Sequence, residues 1–247
     1  GPFSEHIERM KPTMTDGLET KSSDEVLKNA KAFLGERGDN LGFTGESQNI
    51  PLEAYSYSAN YEDREIYISL TKKGGYPIYF LDTRTVGEEK LSFTDAIKKA
   101  SEFLNSKGFT SMTESYYEKS DGIATVNFAY KQGGTVCYSD LIKVKVALDN
   151  GEILGMEAHG YMMNHKHRSL DSPSLSSDEA KSRVNKHLKV DATTVALIPK
   201  DSKREVLCYE FKGNHSGRNF LVYINAQTGM EEQILMLIES EEGILTV

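Results

Sequence analysis

The chain has 247 residues, of which 38% are hydrophobic and 27% charged, with a formal net charge of −8 and no tryptophan. That composition suits a globular protein: no apolar run approaches the roughly 20 residues of a membrane-spanning helix. The acidic balance argues against a nucleic-acid surface, which needs a basic stripe to displace counterions. No signal peptide is evident, and Gly1-Pro2 reads either as a protease scar or as native sequence.

Residues 1–21 read as an N-terminal linker. Ser22-Ser23-Asp24-Glu25 then places a serine three residues before an acid, the capping-box pattern that opens a helix. Ser92-Phe93-Thr94-Asp95 and Ser176-Ser177-Asp178-Glu179 repeat it. Behind each serine the apolar positions step by four: Val26, Ala30, Leu34; Ala96, Ala100, Leu104; Ala180, Val184, Leu188. Each segment therefore predicts an amphipathic helix with lysines on its other faces.

Strand patterns follow each helix. The first set covers Ala54 to Ala59, Glu65 to Thr71 and Tyr76 to Leu81; the second, Ser111 to Tyr117, Ile123 to Tyr130, Leu141 to Leu148 and Ile153 to Tyr161. The third covers Thr194 to Ile198, Val206 to Phe211, Phe220 to Ile224 and Gln233 to Ile238. Leu141 to Leu148 alternates strictly and runs into the turn residues Asp149-Asn150-Gly151, a hairpin signal. Tyr79 to Glu88 and Phe220 to Glu231 carry a similar strand ending in Asp or Asn before a glycine, which suggests one unit used three times. The expected fold class is α+β, as three tandem units of one helix packed on an antiparallel sheet: 22–90, 91–168 and 169–247. His165 to Leu175 is the better hinge of the two joints.

The segments KKGGYPIYFLDTR, KVKVALDNGEILGMEAHGYMMNHKHR, EVLCYEF and YINAQTGMEE resemble the PepSY domain family, in the threefold arrangement found in a group of spore germination proteins. The likeness runs from about Ser22 to the end, and GPFSEH fits the approach to these domains. It implies a non-catalytic protein of endospore-forming bacteria, held at the outer face of the spore inner membrane by an N-terminal segment absent here. It further implies that the partner is the cortex-lytic enzyme SleB, which the protein stabilises, localises or restrains. Two alternatives stand beside it: a PepSY-type inhibitor of a hydrolase, and a peptidoglycan-binding module.

The residues give little support to catalysis. No Gly-x-Ser-x-Gly elbow surrounds a serine, and Cys137 and Cys208 sit in apolar strand patterns as buried small hydrophobes, with a disulfide or reactive pair as the alternative. The 37 acidic residues fall mostly at caps, turns and strand exteriors, so no glycosidase pair stands out. His159, His165 and His167 are the visible metal candidates, but Lys166 and Arg168 beside them favour a basic linker, and no metal or cofactor is expected. Tyr55, Tyr57, Tyr61, Tyr67, Tyr76 and Tyr79 crowd the first unit as a half-wet sheet face or a contact surface. Linkers between rigid units often carry recognition, so the candidate partner-binding residues are Tyr161, His165, His167 and Arg168. Unpaired sheet edges on small repeated units allow a homodimer.

Overall fold

The structure is a computed structural model that describes residues 3, 11–201 and 204–247; Gly1-Pro2 and most of GPFSEH lie outside the described residues. Four α-helices are found among those residues: α1 (Ser23–Leu34), α2 (Phe93–Ser106), α3 (His159–Asn164) and α4 (Ser177–Lys181). Each cap serine serves its helix as the sequence indicates. Ser22, Ser92 and Ser176 accept from the backbone N–H of Glu25, Asp95 and Glu179, whose carboxylates accept the serine N–H in return. Such a cap contributes about 1 kcal/mol. The last of the three capped helices, α4, stops early, at Lys181. There Ser182 Oγ turns back on the Glu179 carbonyl at 2.6 Å, and Asn185 Oδ1 captures the His187 N–H at 2.9 Å. Short polar side chains thus take over backbone groups that a continuing helix would pair.

Thirteen strands run through the described residues: β1 (Gly42–Glu46), β2 (Ala54–Tyr61), β3 (Arg64–Thr71), β4 (Pro77–Asp82), β5 (Met112–Ser120), β6 (Ile123–Gln132) and β7 (Thr135–Ala147). After them come β8 (Ile153–Glu157), β9 (Lys189–Pro199), β10 (Glu205–His215), β11 (Arg218–Asn225), β12 (Glu231–Ser240) and β13 (Gly243–Thr246). All join one sheet in the order β1-β2-β3-β4-β8-β7-β6-β5-β13-β12-β11-β10-β9. A parallel pairing of Thr135, Val136 and Cys137 with Val195, Ala196 and Leu197 brings β9 back onto β7. The last eight strands in that order therefore close into a barrel.

This corrects the expected fold class. The molecule is mostly β, with few helices and a closed eight-stranded barrel; it is not three units of one helix on a sheet. The reason lies in β7. Its alternating half, from Leu141, pairs with β8, but the strand begins at Thr135, and Val136 to Asp140 are buried without a break. Burial on both faces erases the period-two signal, and a parallel partner some 60 residues later in the sequence leaves no local trace.

A recurring contact still marks the internal repeat. The residue before each cap serine donates its N–H to a carbonyl at the end of the third strand that follows: Lys21 to Lys72, Leu91 to Leu148 and Leu175 to Ala226, at 2.9 to 3.0 Å. Tyr55 Oη and Tyr209 Oη donate to the carbonyls of Lys21 and Leu175, both at 2.7 Å. The first counterpart of the Asp149-Asn150-Gly151 turn is thus the turn after Lys72, where Gly74 and Gly75 take positive φ, and not the one after Asp82.

One apolar cluster runs from Val26 to Met163 and unites the first two repeats beneath α1 and α2. A second fills the barrel, with Ala196, Cys208, Leu221, Leu235 and Leu237 inside. Glu210 also points into this interior. Its Oε2 accepts from Tyr138 Oη at 2.6 Å and Tyr223 Oη at 2.7 Å, and the Phe3 ring packs on both tyrosines with centroids 5.3 and 5.6 Å away. Burial raises the Glu210 carboxyl above its ordinary value of 4.5, outweighing the two phenol donors that lower it. The folded state therefore holds this proton more tightly than the unfolded chain does. Its contribution to stability is complete below pH 4.5 and is lost as pH rises through the folded value. Denaturation from pH 4 to 8 is expected to show the wild type losing stability relative to Glu210→Gln as pH rises.

Candidate functional site

The stretch from α3 towards α4 contains all four residues singled out for partner binding, and the structure separates their roles. Ala158 to Asn164 turns the chain after β8; the Asn164 Nδ2 donates to the carbonyls of Ser139 and Gly160. Tyr161 is buried, and its ring stacks on His165 with centroids 4.2 Å apart. Burial raises the Tyr161 phenol to about 12. His165 Nδ1 lies 2.9 Å from Asp140 Oδ2, with the edge of Tyr130 against its ring.

Arg168 is the centre of this arrangement. It is only 6% exposed, and its guanidinium grips Asp140 through two hydrogen bonds of 2.9 and 2.6 Å. Two further bonds, of 2.9 and 3.1 Å, reach Glu205 on β10, and another reaches the Asn164 carbonyl. Burial alone would lower the Arg168 pKa; the hydrogen bonds it donates to the two carboxylates hold it above its ordinary range. Asp140 is fully buried and lies where the register of β7 against β6 shifts between Ala129 and Tyr130. The cluster therefore clamps the bulge of β7 to β10, across the barrel wall. It serves as a joint, and of the four residues only His167 faces solvent.

A second ionic cluster ties the first repeat to the second. Asp82, at the end of β4 and with its side chain fully buried, accepts from Arg37 at 2.9 Å and from Arg64 at 3.0 and 3.1 Å. Burial would raise the Asp82 carboxyl, but the arginines and the Arg84 N–H hold it below its ordinary value. Arg84 in turn pairs bidentately with Asp149 at 2.8 and 3.0 Å and reaches Glu152 at 2.8 Å. Sequence reasoning placed Asp82 at a strand end and missed this role. The available signal was the pair of arginines bounding the β3–β4 hairpin, Arg64 at its start and Arg84 just past its end.

Beside the Arg168 joint runs an open groove of about 570 Å³. Lys166, His167 and Asp171 line one side, and Val206, Gln227 and Thr228 the other. Gln227 fixes the entering chain through Ser174 N–H at 2.9 Å and the Ser172 carbonyl at 3.0 Å. The groove offers amides, hydroxyls and charges suited to docking. The thiols do not supply a nucleophile here: Cys137 and Cys208 are free and buried, which raises them to about 11 and about 12. Among the described residues no group of three or more His, Cys, Asp or Glu side chains is arranged to hold a metal ion. His165 is turned to Asp140 while His167 faces outward, so the histidine pair does not converge. No helix among the described residues is long and apolar enough to cross a membrane.

Residues 1–171 match the family described as "YpeB sporulation, PepSY1 and PepSY2 domains", and residues 174–230 match "Peptidase propeptide and YPEB domain". A sporulation protein YpeB of Halalkalibacterium halodurans is 35% identical over 240 residues, which is 97% of this chain and 52% of that protein. The one from Oceanobacillus iheyensis is 36% identical over 229 residues, and the one from Bacillus subtilis 32% over 224, covering 92% and 89% of this chain and 50% of each relative. The chain thus spans about half the length of these relatives. Among solved structures, the Bacillus megaterium YpeB C-terminal domain superposes with a TM-score of 0.78 at 30% identity, covering 90% of this chain and 100% of that one.

Arg168→Ala leaves Asp140 buried without its cation, so a loss of about 3–5 kcal/mol is expected in urea denaturation. Arg168→Lys should recover only part of that, because an ammonium cannot make both bidentate pairs. His167→Ala should change stability by less than about 0.5 kcal/mol, as for an exposed site away from the clamp.

Proposed function

Since the chain belongs to the YpeB family of sporulation proteins, we propose that it is a non-catalytic docking platform that stabilises, localises or restrains the spore cortex-lytic enzyme SleB. It would act in the spore, at the outer face of the inner membrane, with membrane attachment supplied by sequence beyond this fragment. The observation that carries this reading is the joint itself. Arg168, Asp140 and Glu205 spend their charges on one another to lock the connecting segment onto β7 and β10, leaving groove walls and outer faces for contact. Tyr161, His165 and Arg168 position the groove from beneath, and His167 is the member of that set offered to the partner.

The match of residues 174–230 to a domain also described for peptidase propeptides favours a second reading, an inhibitor of the hydrolase. Immobilised chain incubated with purified SleB tests both. Retention of the enzyme with cortex hydrolysis unchanged per molecule supports the platform, and hydrolysis suppressed at stoichiometric chain supports the inhibitor. Co-sedimentation with cortex sacculi in the absence of SleB would instead favour a peptidoglycan-binding module. Failure to retain the enzyme overturns the proposal.

A further inference from the structure

The repeat offers an internal comparison. Aligning the carbonyls of Lys72, Leu148 and Ala226 makes Ile68, Val144 and Val222 equivalent, and across the next strand these residues face Phe80, Met156 and Ile234. In the first two repeats that fourth-strand position is closed off: Phe80 is 1% exposed and Met156 2%, while Ile234 is 49% exposed. The cover over Phe80 comes both from its own repeat and from the second. β4 and β8 pair with Phe80 opposite Met156, so the two fourth strands meet antiparallel. Phe33 of α1 and Phe103 of α2 stand over Phe80 and against each other, with centroids 5.6 to 6.0 Å apart. The fourth strand of the first repeat is thus roofed by its own helix and by the helix of the second.

The third repeat has the receiving half of this contact and no donor. Its fourth strand, β12, pairs with β13 instead of with a fourth strand of another repeat. His187 holds the place, counted from the cap serine, that Phe33 and Phe103 hold. α4 ends too soon to spread over β12. A groove of about 220 Å³ opens between His187, Leu188, His215 and Phe220 on one side and Ile234 on the other. The apolar surface continues along the outer face to Ile238, 44% exposed, and to its cross-strand partner Leu245, 39% exposed.

We infer that this outer face of β11, β12 and β13 is the docking surface for a partner protein's amphipathic helix, with an aromatic side chain entering the groove beside Ile234 as Phe33 does over Phe80. The chain's own paired repeats show what covers this surface: a helix lying along the sheet with its apolar stripe down. An apolar patch of this kind on a folded protein marks an interaction site, and helix-in-groove recognition uses apolar anchors at one-turn spacing. This assignment rests on the platform reading above and adds to the groove at His167 a second surface that would serve it.

The test is binding of SleB to the wild type, to the double variant Ile234→Glu/Ile238→Glu, to the conservative variant Ile234→Val, and to a control, Tyr67→Glu, on another exposed sheet face. Far-UV circular dichroism and melting show that each variant folds; both isoleucines are exposed, so melting should barely move. The expected result is at least a tenfold weakening in the double variant alone. Retention of full affinity by a folded double variant overturns the surface assignment and leaves the platform reading standing. No binding by the wild type overturns the platform reading and this assignment with it. Gel filtration of the chain alone adds the remaining arm: a dimer that the double variant dissolves gives the face to a second copy and overturns the proposal.

Discussion

The structure depends on how one arginine is satisfied. Arg168 leaves water with its charge intact, and burial of an unpaired cation would cost several kcal/mol. Asp140 and Glu205 meet it with four hydrogen bonds. Those carboxylates stand on β7 and β10, and the arginine comes from the connecting segment. Three remote stretches of chain are therefore held in one geometry, and the bulge of β7 is fixed at the point where a sheet becomes a barrel. Geometry of this strictness supplies specificity more than raw stability, since an apolar trio of equal volume would pack without the directional bonds.

The same logic operates at Asp82, where Arg37 and Arg64 converge on one buried carboxylate and Arg84 passes the connection to Asp149. Between the two clusters lies the long apolar core beneath α1 and α2. The helices bury the stripe, and the ionic clusters set the register in which it is buried. That division of labour explains why a strongly charged, modestly hydrophobic chain forms a continuous thirteen-stranded sheet.

Local features were legible in the sequence. Capping boxes and four-residue spacing involve neighbours in the chain, so Ser22, Ser92, Ser176 and their apolar faces could be read directly. The length of α4 could not, because Ser182 and then Asn185 divert backbone groups along a stripe that continues to Leu188 on spacing alone. The turn expected after Asp82 is displaced: Lys72 to Tyr76 shares turn geometry, and few residues, with Asp149-Asn150-Gly151. The barrel was invisible, since its closure depends on a parallel pair with no mark on either strand. The histidine-rich joint looked like a basic linker because the acids that neutralise Arg168 lie 28 and 37 positions away in the chain. The segment was picked out from sequence as a place of recognition; its burial and its clamp came only with the coordinates.

Closure of the barrel has a consequence for how the chain reaches this form. β13 completes the ring by pairing Gly243 and Ile244 with Glu118 and Tyr117 on β5. The seam on the other side joins β7 to β9. Neither can form before most of the polypeptide has emerged, and pairings this remote make for slow assembly. The first four strands and α1 use mostly nearby partners and can order early. Until the final segment arrives, β5 and β12 are open edges of the kind that recruit stray strands. Biogenesis is thus the stage at which the molecule is most vulnerable, and the completed ring removes those edges.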